Sequence, residues 1–319
     1  MAPALPQPRT LVPEAQERFS DAQRWRDDKL VLELSPMIRA TVAGVSVGDG
    51  LEVAVVGTLN VSPESFYSGS VVTDADRLLH AAETMARAGA TWLDVGAMST
   101  APYLATAIPE AQEADRLHWA VELLTSKLDL PVCADTRRSG PARAALESGA
   151  RLLNDVSGLA DPAMAPLAAE AGVGLVLMAS PSAGTHAGEP VGTVLAALAG
   201  SLAKARAAGV RDDRVLLDPG IGFFRDEAIG WAEWDCRVLA GLPALRVLGR
   251  PLYVGVSRKS FIGALADVPD AADRLPGSLA ATAAAVLGGA HVIRAHDVAE
   301  TVQAVRVAQA IVRARGAEA

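Results

Sequence analysis

Short runs that are apolar on both faces alternate along this chain with alanine-rich segments of helical period. The runs are VAVVGTLN (53–60), TWLDVG (91–96), PVCADT (131–136), RLLND (151–155), GLVLMAS (174–180), RVLLDPG (214–220), PLYVGVS (251–257) and HVIRAHD (291–297). After each in turn come helical segments at 74–90, 110–128, 140–150, 161–173, 191–210, 227–249, 277–290 and 298–315. Strands apolar on both sides, each followed by a helix, describe a parallel sheet covered by helices. Eight such units predict an α/β fold, a closed (β/α)8 TIM barrel, with an open doubly wound sheet as the structural alternative. Several helical segments end in Gly-Ala or Gly-Val, which suits a glycine C-cap leading into a strand. Ahead of the first strand, VAGVSVGDGLEV (42–53) predicts a hairpin across the bottom of the barrel. Residues 1–28 are proline-punctuated and charged, without apolar period. The expected division is an N-terminal extension over 1–40 and a single barrel domain over 41–315.

Composition narrows the partners. The chain has 319 residues, half of them hydrophobic and 21% charged, with a net charge of −8. That balance disfavours nucleic acid and anionic membranes, while leaving room for a locally basic pocket. Two cysteines, Cys133 and Cys236, are too few for a disulfide framework or a zinc site and read as reduced thiols. The N-terminus shows no signal-peptide core. The longest uncharged stretch, LPGSLAATAAAVLGGAHVI (275–293), reads as helix, turn and strand rather than a membrane span. A soluble, cytoplasmic protein is expected.

A polar residue recurs where nearly every run ends: Asn60, Asp94, Asp135, Asn154, Asp218, Lys259, Arg294 and His296. Each alone reads more readily as a cap or turn former. In a closed barrel they converge on one rim, where barrel active sites lie. Buried carboxylates beside an asparagine suit a ligand edge rich in N–H donors, such as an aminopyrimidine. Lys259, Arg294 and His296 add positive charge for an anion or leaving group.

The segments LNVSPESF (59–66), ADTRRSGPARAALESGARLLNDVSG (134–158), LDPGIGF (217–223), GVSRKSFIG (255–263) and GSLAA…VIRAHDV (277–298) closely resemble the dihydropteroate synthases. The resemblance spans about residues 53–307 in motif order. It implies a transferase that condenses 6-hydroxymethyl-7,8-dihydropterin diphosphate with p-aminobenzoate, releasing pyrophosphate with Mg²⁺ as cofactor, in a homodimer. It assigns Asp94, Asp135, Asn154, Asp218, Phe223, Lys259 and Arg294 to the pterin. Asn60, Arg294 and His296 go to the diphosphate, with Asn60 also at the metal. Phe66, Thr100, Pro102 and Ser260 fall to the aminobenzoate, and Asp135, Lys259, Arg294 and His296 to catalysis.

Departures cluster in the loops. Where the family carries GGESTRPG this chain reads GAMSTAPY, with Met98 for the glutamate and Ala101 for the arginine. Ser68 replaces an aspartate of the first loop, and ASPSAGTHAGEP (179–190) does not match the family's pattern. Losing a charged contact to phosphate costs about 1.5–3 kcal/mol unless another group replaces it. Arg137, Arg138 and Arg225 are the candidate replacements. The changes leave open a pterin-dependent transferase using another arylamine or a methyl group, and a non-catalytic pterin-binding paralogue. Trp92, Trp119, Trp231 and Trp234 are expected to pack helices and strands. His80, His118 and His291 lack metal-ligand spacing.

Overall fold

The structure is a computed structural model that describes residues 37–62, 74–98, 108–181, 188–225 and 229–317. Its first two strands, β1 (Arg39–Val42) and β2 (Val45–Gly48), pair antiparallel. Ala43 and Gly44 join them with φ of 49° and 83°, the mirror-image turn that matches strand twist. β1 opens at Arg39, inside the stretch assigned to the extension; residues 1–36 lie outside the described residues.

Eight further strands follow: β3 (Ala54–Asn60), β4 (Trp92–Gly96), β5 (Val132–Asp135), β6 (Leu152–Asp155), β7 (Gly174–Met178), β8 (Val215–Asp218), β9 (Tyr253–Gly255) and β10 (Val292–Ala295). All pair parallel, in the order β8-β7-β6-β5-β4-β3-β10-β9. A parallel bridge between Leu217 and Leu252 joins the two outer strands and closes the cylinder. The described helices are α1 (Ala75–Arg87), α2 (Glu110–Lys127), α3 (Ser139–Glu147), α4 (Met164–Ala171), α5 (Pro190–Ala207), α6 (Trp231–Ala240), α7 (Ser260–Ala266), α8 (Leu275–Leu287) and α9 (Val298–Ala317). None is long and apolar enough to cross a membrane. The TIM barrel expected from the alternation is the observed fold, and the doubly wound sheet falls away.

Two details differ from the expected elements. The segment 227–249 does not run as one helix: α6 stops at Ala240, and a 3-10 turn over Leu242–Leu248 replaces its second half. Gly241 followed by Leu242-Pro243 explains the break, because proline cannot continue the helical hydrogen bonds. A short helix, α7, also stands directly after β9, in a stretch to which the alternation assigned no element. The glycine ends were as expected: Gly89, Gly149, Gly172, Gly209 and Gly289 all take positive φ between a helix and the next strand.

Successive strand residues face opposite sides, so one face packs under the helices and the other fills the barrel. The lower barrel holds Ala54, Val56, Trp92, Cys133, Leu152, Val176, Leu216, Tyr253 and Val292, joined by Ala40, Val42 and Val47 from the hairpin. The hairpin therefore plugs the bottom. Asp49, just past β2, locks it there. Its carboxylate accepts from Arg246 at 2.9 and 2.8 Å, from His291 Nε2 at 3.1 Å and from the Ile38 amide at 2.9 Å. His291 Nδ1 accepts from the Leu252 amide at 3.0 Å, which leaves its proton on Nε2 to face Asp49. Burial opposes the Asp49 charge, but the His291 and Arg246 bonds hold its carboxyl well below the usual carboxylate range.

The aromatic and thiol expectations also held. Trp92 and Trp234 are fully buried, Trp119 and Trp231 pack against the core, and both cysteines are free. His80 and His118 sit exposed on α1 and α2. Among the described residues no group of His, Cys, Asp or Glu side chains is arranged to hold a metal.

Candidate active site

Above the apolar layer the inward strand positions turn polar. Asp94 of β4 is completely buried. Its Oδ2 accepts from Arg294 Nε of β10 at 2.5 Å and from Asn154 Nδ2 of β6 at 3.2 Å, with the Tyr253 hydroxyl at 3.5 Å. The same guanidinium donates from Nη2 to Asp135 Oδ2 of β5 at 2.8 Å. One positive charge is thus shared between two carboxylates. The second oxygens, Asp94 Oδ1 and Asp135 Oδ1, and the amide oxygen of Asn154 have no partner among the described residues. Three buried acceptors left over in one pocket cost stability and call for donors from a ligand.

Burial pushes the Asp135 carboxyl up; Arg294 and Lys259 pull it back, and Asp94 and Glu113 add to the rise. Asp218, at the end of β8, is pushed up to about 6, again by burial, against its bond from the Gly220 amide at 2.8 Å. Arg294 goes the other way. Burial disfavours its charge, yet Asp94 and Asp135 outweigh that and raise its pKa.

The turn after β8 is held from three sides. Asp218 ties Gly220, and Asp235 of α6 accepts from the Gly222 amide at 2.8 Å. Lys259 Nζ donates to the Ile221 carbonyl at 2.8 Å and lies 4.5 Å from the centre of the Phe223 ring. A Cβ on Gly222 would meet the lysine stem at 2.9 Å, and its φ of 84° is left-handed, so glycine is required. Burial lowers the Lys259 pKa to about 8, only partly offset by Asp218.

His296 lies past β10 with Nδ1 3.0 Å from Ser257 Oγ. Burial, then Arg294, Arg258 and Lys259, hold its pKa down at about 3. It is therefore a neutral imidazole near pH 7, which corrects its expected place among the cations. Asn60 ends β3 beside Asp135: a Cβ on Gly96 would touch Asn60 Oδ1 at 3.5 Å and Asp135 Oδ2 at 3.7 Å. Ser260 opens α7, its Oγ 3.1 Å from Arg225 Nη2.

The second loop is visible at its ends. Met98 is buried at its start. Arg116 donates to the Ala97 carbonyl at 3.2 Å, and Arg138 donates to the Ile108 carbonyl at 2.9 Å and to Glu113 at 3.0 Å. Arg138 is thus engaged in anchoring the loop, and Arg137 is exposed. Phe66, Thr100 and Pro102, with the altered positions Ser68 and Ala101, lie outside the described residues.

Several contributors escaped sequence reasoning. Arg258 forms a two-pronged pair with Asp297 at 2.8 and 2.7 Å, clamping the exits of β9 and β10 that carry Lys259 and His296. Both flank residues that were singled out, within the same two motifs. Buried Glu113, which accepts from Thr136 at 2.6 Å, and Asp235 look like ordinary helix residues until the fold buries them. Tyr253 carries no signal beyond its place at the start of a strand.

Comparison with known proteins gives the family and the fold. A family model described as pterin binding enzyme matches residues 56–296. The chain is 40% identical over 268 residues to the dihydropteroate synthase of Mycobacterium leprae, covering 80% of this chain and 92% of the relative. It is 36% identical over 271 residues to that of Synechocystis, covering 83% and 92%. The structure of Xanthomonas albilineans dihydropteroate synthase with 4-aminobenzoic acid superposes with a TM-score of 0.77 at 35% identity, covering 86% of this chain and 98% of that one. Fold, rim and relatives converge: the chain belongs to the dihydropteroate synthase family of pterin-binding transferases.

Proposed function

We propose that the rim condenses 6-hydroxymethyl-7,8-dihydropterin diphosphate with p-aminobenzoate, releasing pyrophosphate. The observation that carries this reading is the cluster of unsatisfied buried acceptors on Asp94, Asp135 and Asn154. Such acceptors suit the N–H-rich edge of a pterin, as does Asp218. Lys259 and Phe223 line the same pocket, and Arg294 packs between ring and diphosphate.

Breaking the C–O bond leaves positive charge on the pterin and its exocyclic carbon, while the bonding electrons depart with pyrophosphate. Asp135 lies where that charge develops. Burial raises its carboxyl against the pull of Arg294 and Lys259, and the developing cation adds to that pull, so the attraction is greatest at the transition state. His296 meets the departing oxygens as a hydrogen-bonding group, and Arg294 carries the charge. The arylamine nitrogen, oriented by Ser260 with Phe66, Thr100 and Pro102, then attacks the exocyclic carbon and gives up one proton to solvent or the departing pyrophosphate.

Mg²⁺ belongs to the same proposal and, when bound, offsets charge on the leaving pyrophosphate. The donor set fits an ion held mainly by the diphosphate and water: Asn60 offers one amide oxygen, and no acidic cluster is present among the described residues. A cytoplasmic homodimer completes the reading; exposed Leu287, Val307 and Ile311 on α8 and α9 are apolar positions suited to self-association.

Pyrophosphate release, measured with and without p-aminobenzoate, tests the reaction. Release that needs both substrates and Mg²⁺ is expected. No turnover at high enzyme loading would overturn it.

A further inference from the structure

The exits of β8 and β9 hold a polar pair that the pterin and diphosphate roles leave unused. Arg225 follows the DPGIGFF turn, and its Nη2 donates to Ser260 Oγ at 3.1 Å. Its Nη1 donates to the Phe224 carbonyl at 3.2 Å, and its guanidinium carbon lies 4.8 Å from the centre of the Trp231 ring. Three neighbours therefore fix the guanidinium before any ligand arrives, which lowers the entropy lost on binding. The side chain is only half-buried, so solvent still reaches it.

Two anions take part in the proposed reaction. The diphosphate groups, Asn60 and His296, stand at the exits of β3 and β10, and Arg294 lies on β10 itself. Around the barrel, β9 borders β10, and β8 closes onto β9 on the side away from β3. The cation after β8 thus stands two strands away from the diphosphate groups of β10. We infer that Arg225, together with Ser260, receives the carboxylate of the arylamine and selects a para-carboxylated arylamine over a neutral one. This places a fixed cation on the barrel scaffold in a chain whose second loop carries Ala101 where the family has arginine. The inference rests on the reaction proposed above, and it adds the residue that sets acceptor specificity.

Kinetics with two acceptors, p-aminobenzoate and its uncharged counterpart 4-aminobenzamide, test it in the full-length enzyme. Arg225→Gln is expected to raise KM for p-aminobenzoate on the order of 10- to 100-fold, the range of a lost charge-assisted hydrogen bond. The KM for pterin diphosphate and the turnover of 4-aminobenzamide should stay near wild type. Arg225→Lys should fall between, because lysine keeps the charge without the planar fork. Equal losses on both acceptors, or an unchanged KM for p-aminobenzoate, would overturn the inference. A wild-type enzyme that releases no pyrophosphate would instead overturn the reaction. Calorimetric titration of p-aminobenzoate with pterin diphosphate present would then still decide the pairing: weaker binding by Arg225→Gln supports it, and equal binding refutes it.

Discussion

The two ends of this barrel each hold an arginine buried against carboxylate, and they are built to opposite effect. At the bottom, Asp49 takes four hydrogen bonds from Arg246, His291 and Ile38, using both its oxygens. Its carboxyl is held below the ordinary range. At the top, Arg294 is divided between Asp94 and Asp135, each of which keeps one buried oxygen without a partner among the described residues. There burial pushes Asp135 and Asp218 up. A carboxylate with both oxygens satisfied holds the fold together, even though the buried Arg246 Nε has no partner among the described residues. An incompletely satisfied one stores binding capacity at a cost in stability, so the same residue types serve structure at one end and chemistry at the other.

The largest test of that contrast is Asp135→Asn. It removes the charge opposite the developing cation, and turnover should fall about 10²–10³-fold, as for other transition-state electrostatic contacts. Because one unsatisfied carboxylate is neutralised, the thermal midpoint should hold steady or rise. A drop in stability matching the loss of activity would mean that Asp135 is structural.

The converse probe is Asp49→Ala, which leaves Arg246 and His291 facing each other without their anion. Removing one partner of a largely buried pair costs about 3–5 kcal/mol, and the partial exposure of Asp49 brings the expected loss to about 2–3 kcal/mol. Urea unfolding should show that loss while the KM values of the folded enzyme stay near wild type. The sign follows from the depressed pKa: the Asp49 contribution is fully present above the ordinary carboxylate pKa and declines as acid is added below it. Acid unfolding of the wild type should therefore be steeper than that of the variant.

The smallest expected effect is on pH dependence, and it sharpens the picture of the top rim. In the free enzyme Asp218, raised to about 6, and Asp135, also raised by burial, take up protons as pH falls, and Lys259 loses one as pH rises through about 8. A plot of kcat/KM for the pterin diphosphate should be bell-shaped between those values. Lys259→Arg should move the alkaline limb upward, because arginine stays charged. An alkaline limb that stays in place would assign that titration to another group.

Much of the site was legible because strand ends are marked in the chain itself. Polar residues closing apolar runs, such as Asp94 after TWL and Asn154 after RLL, stand out against the expectation for a buried strand. Met98 and Ala101 were equally legible as departures from the family's loop. Less could be read for residues whose role depends on burial. Asp235 sits in a helical segment like any surface acid, and only the packing of α6 against the β8 turn brings it to the Gly222 amide. His296 reads as a cation, until burial among three basic groups holds it neutral.

What the sequence determined by itself was local and periodic: the alternation of strand and helix, the glycine ends, the bottom hairpin and the set of polar strand ends. These depend on short-range propensity and on which face of each element is apolar. The tertiary structure decided which of these groups meet and what charge they carry. His291 reaches Asp49 across 242 positions and Arg294 reaches Asp94 across 200, because closing the cylinder joins β10 to β3 and sets the hairpin beneath both. Charge states were decided there too. Desolvation depends on how much protein surrounds a group, and that is a property of the closed barrel rather than of any segment of the chain.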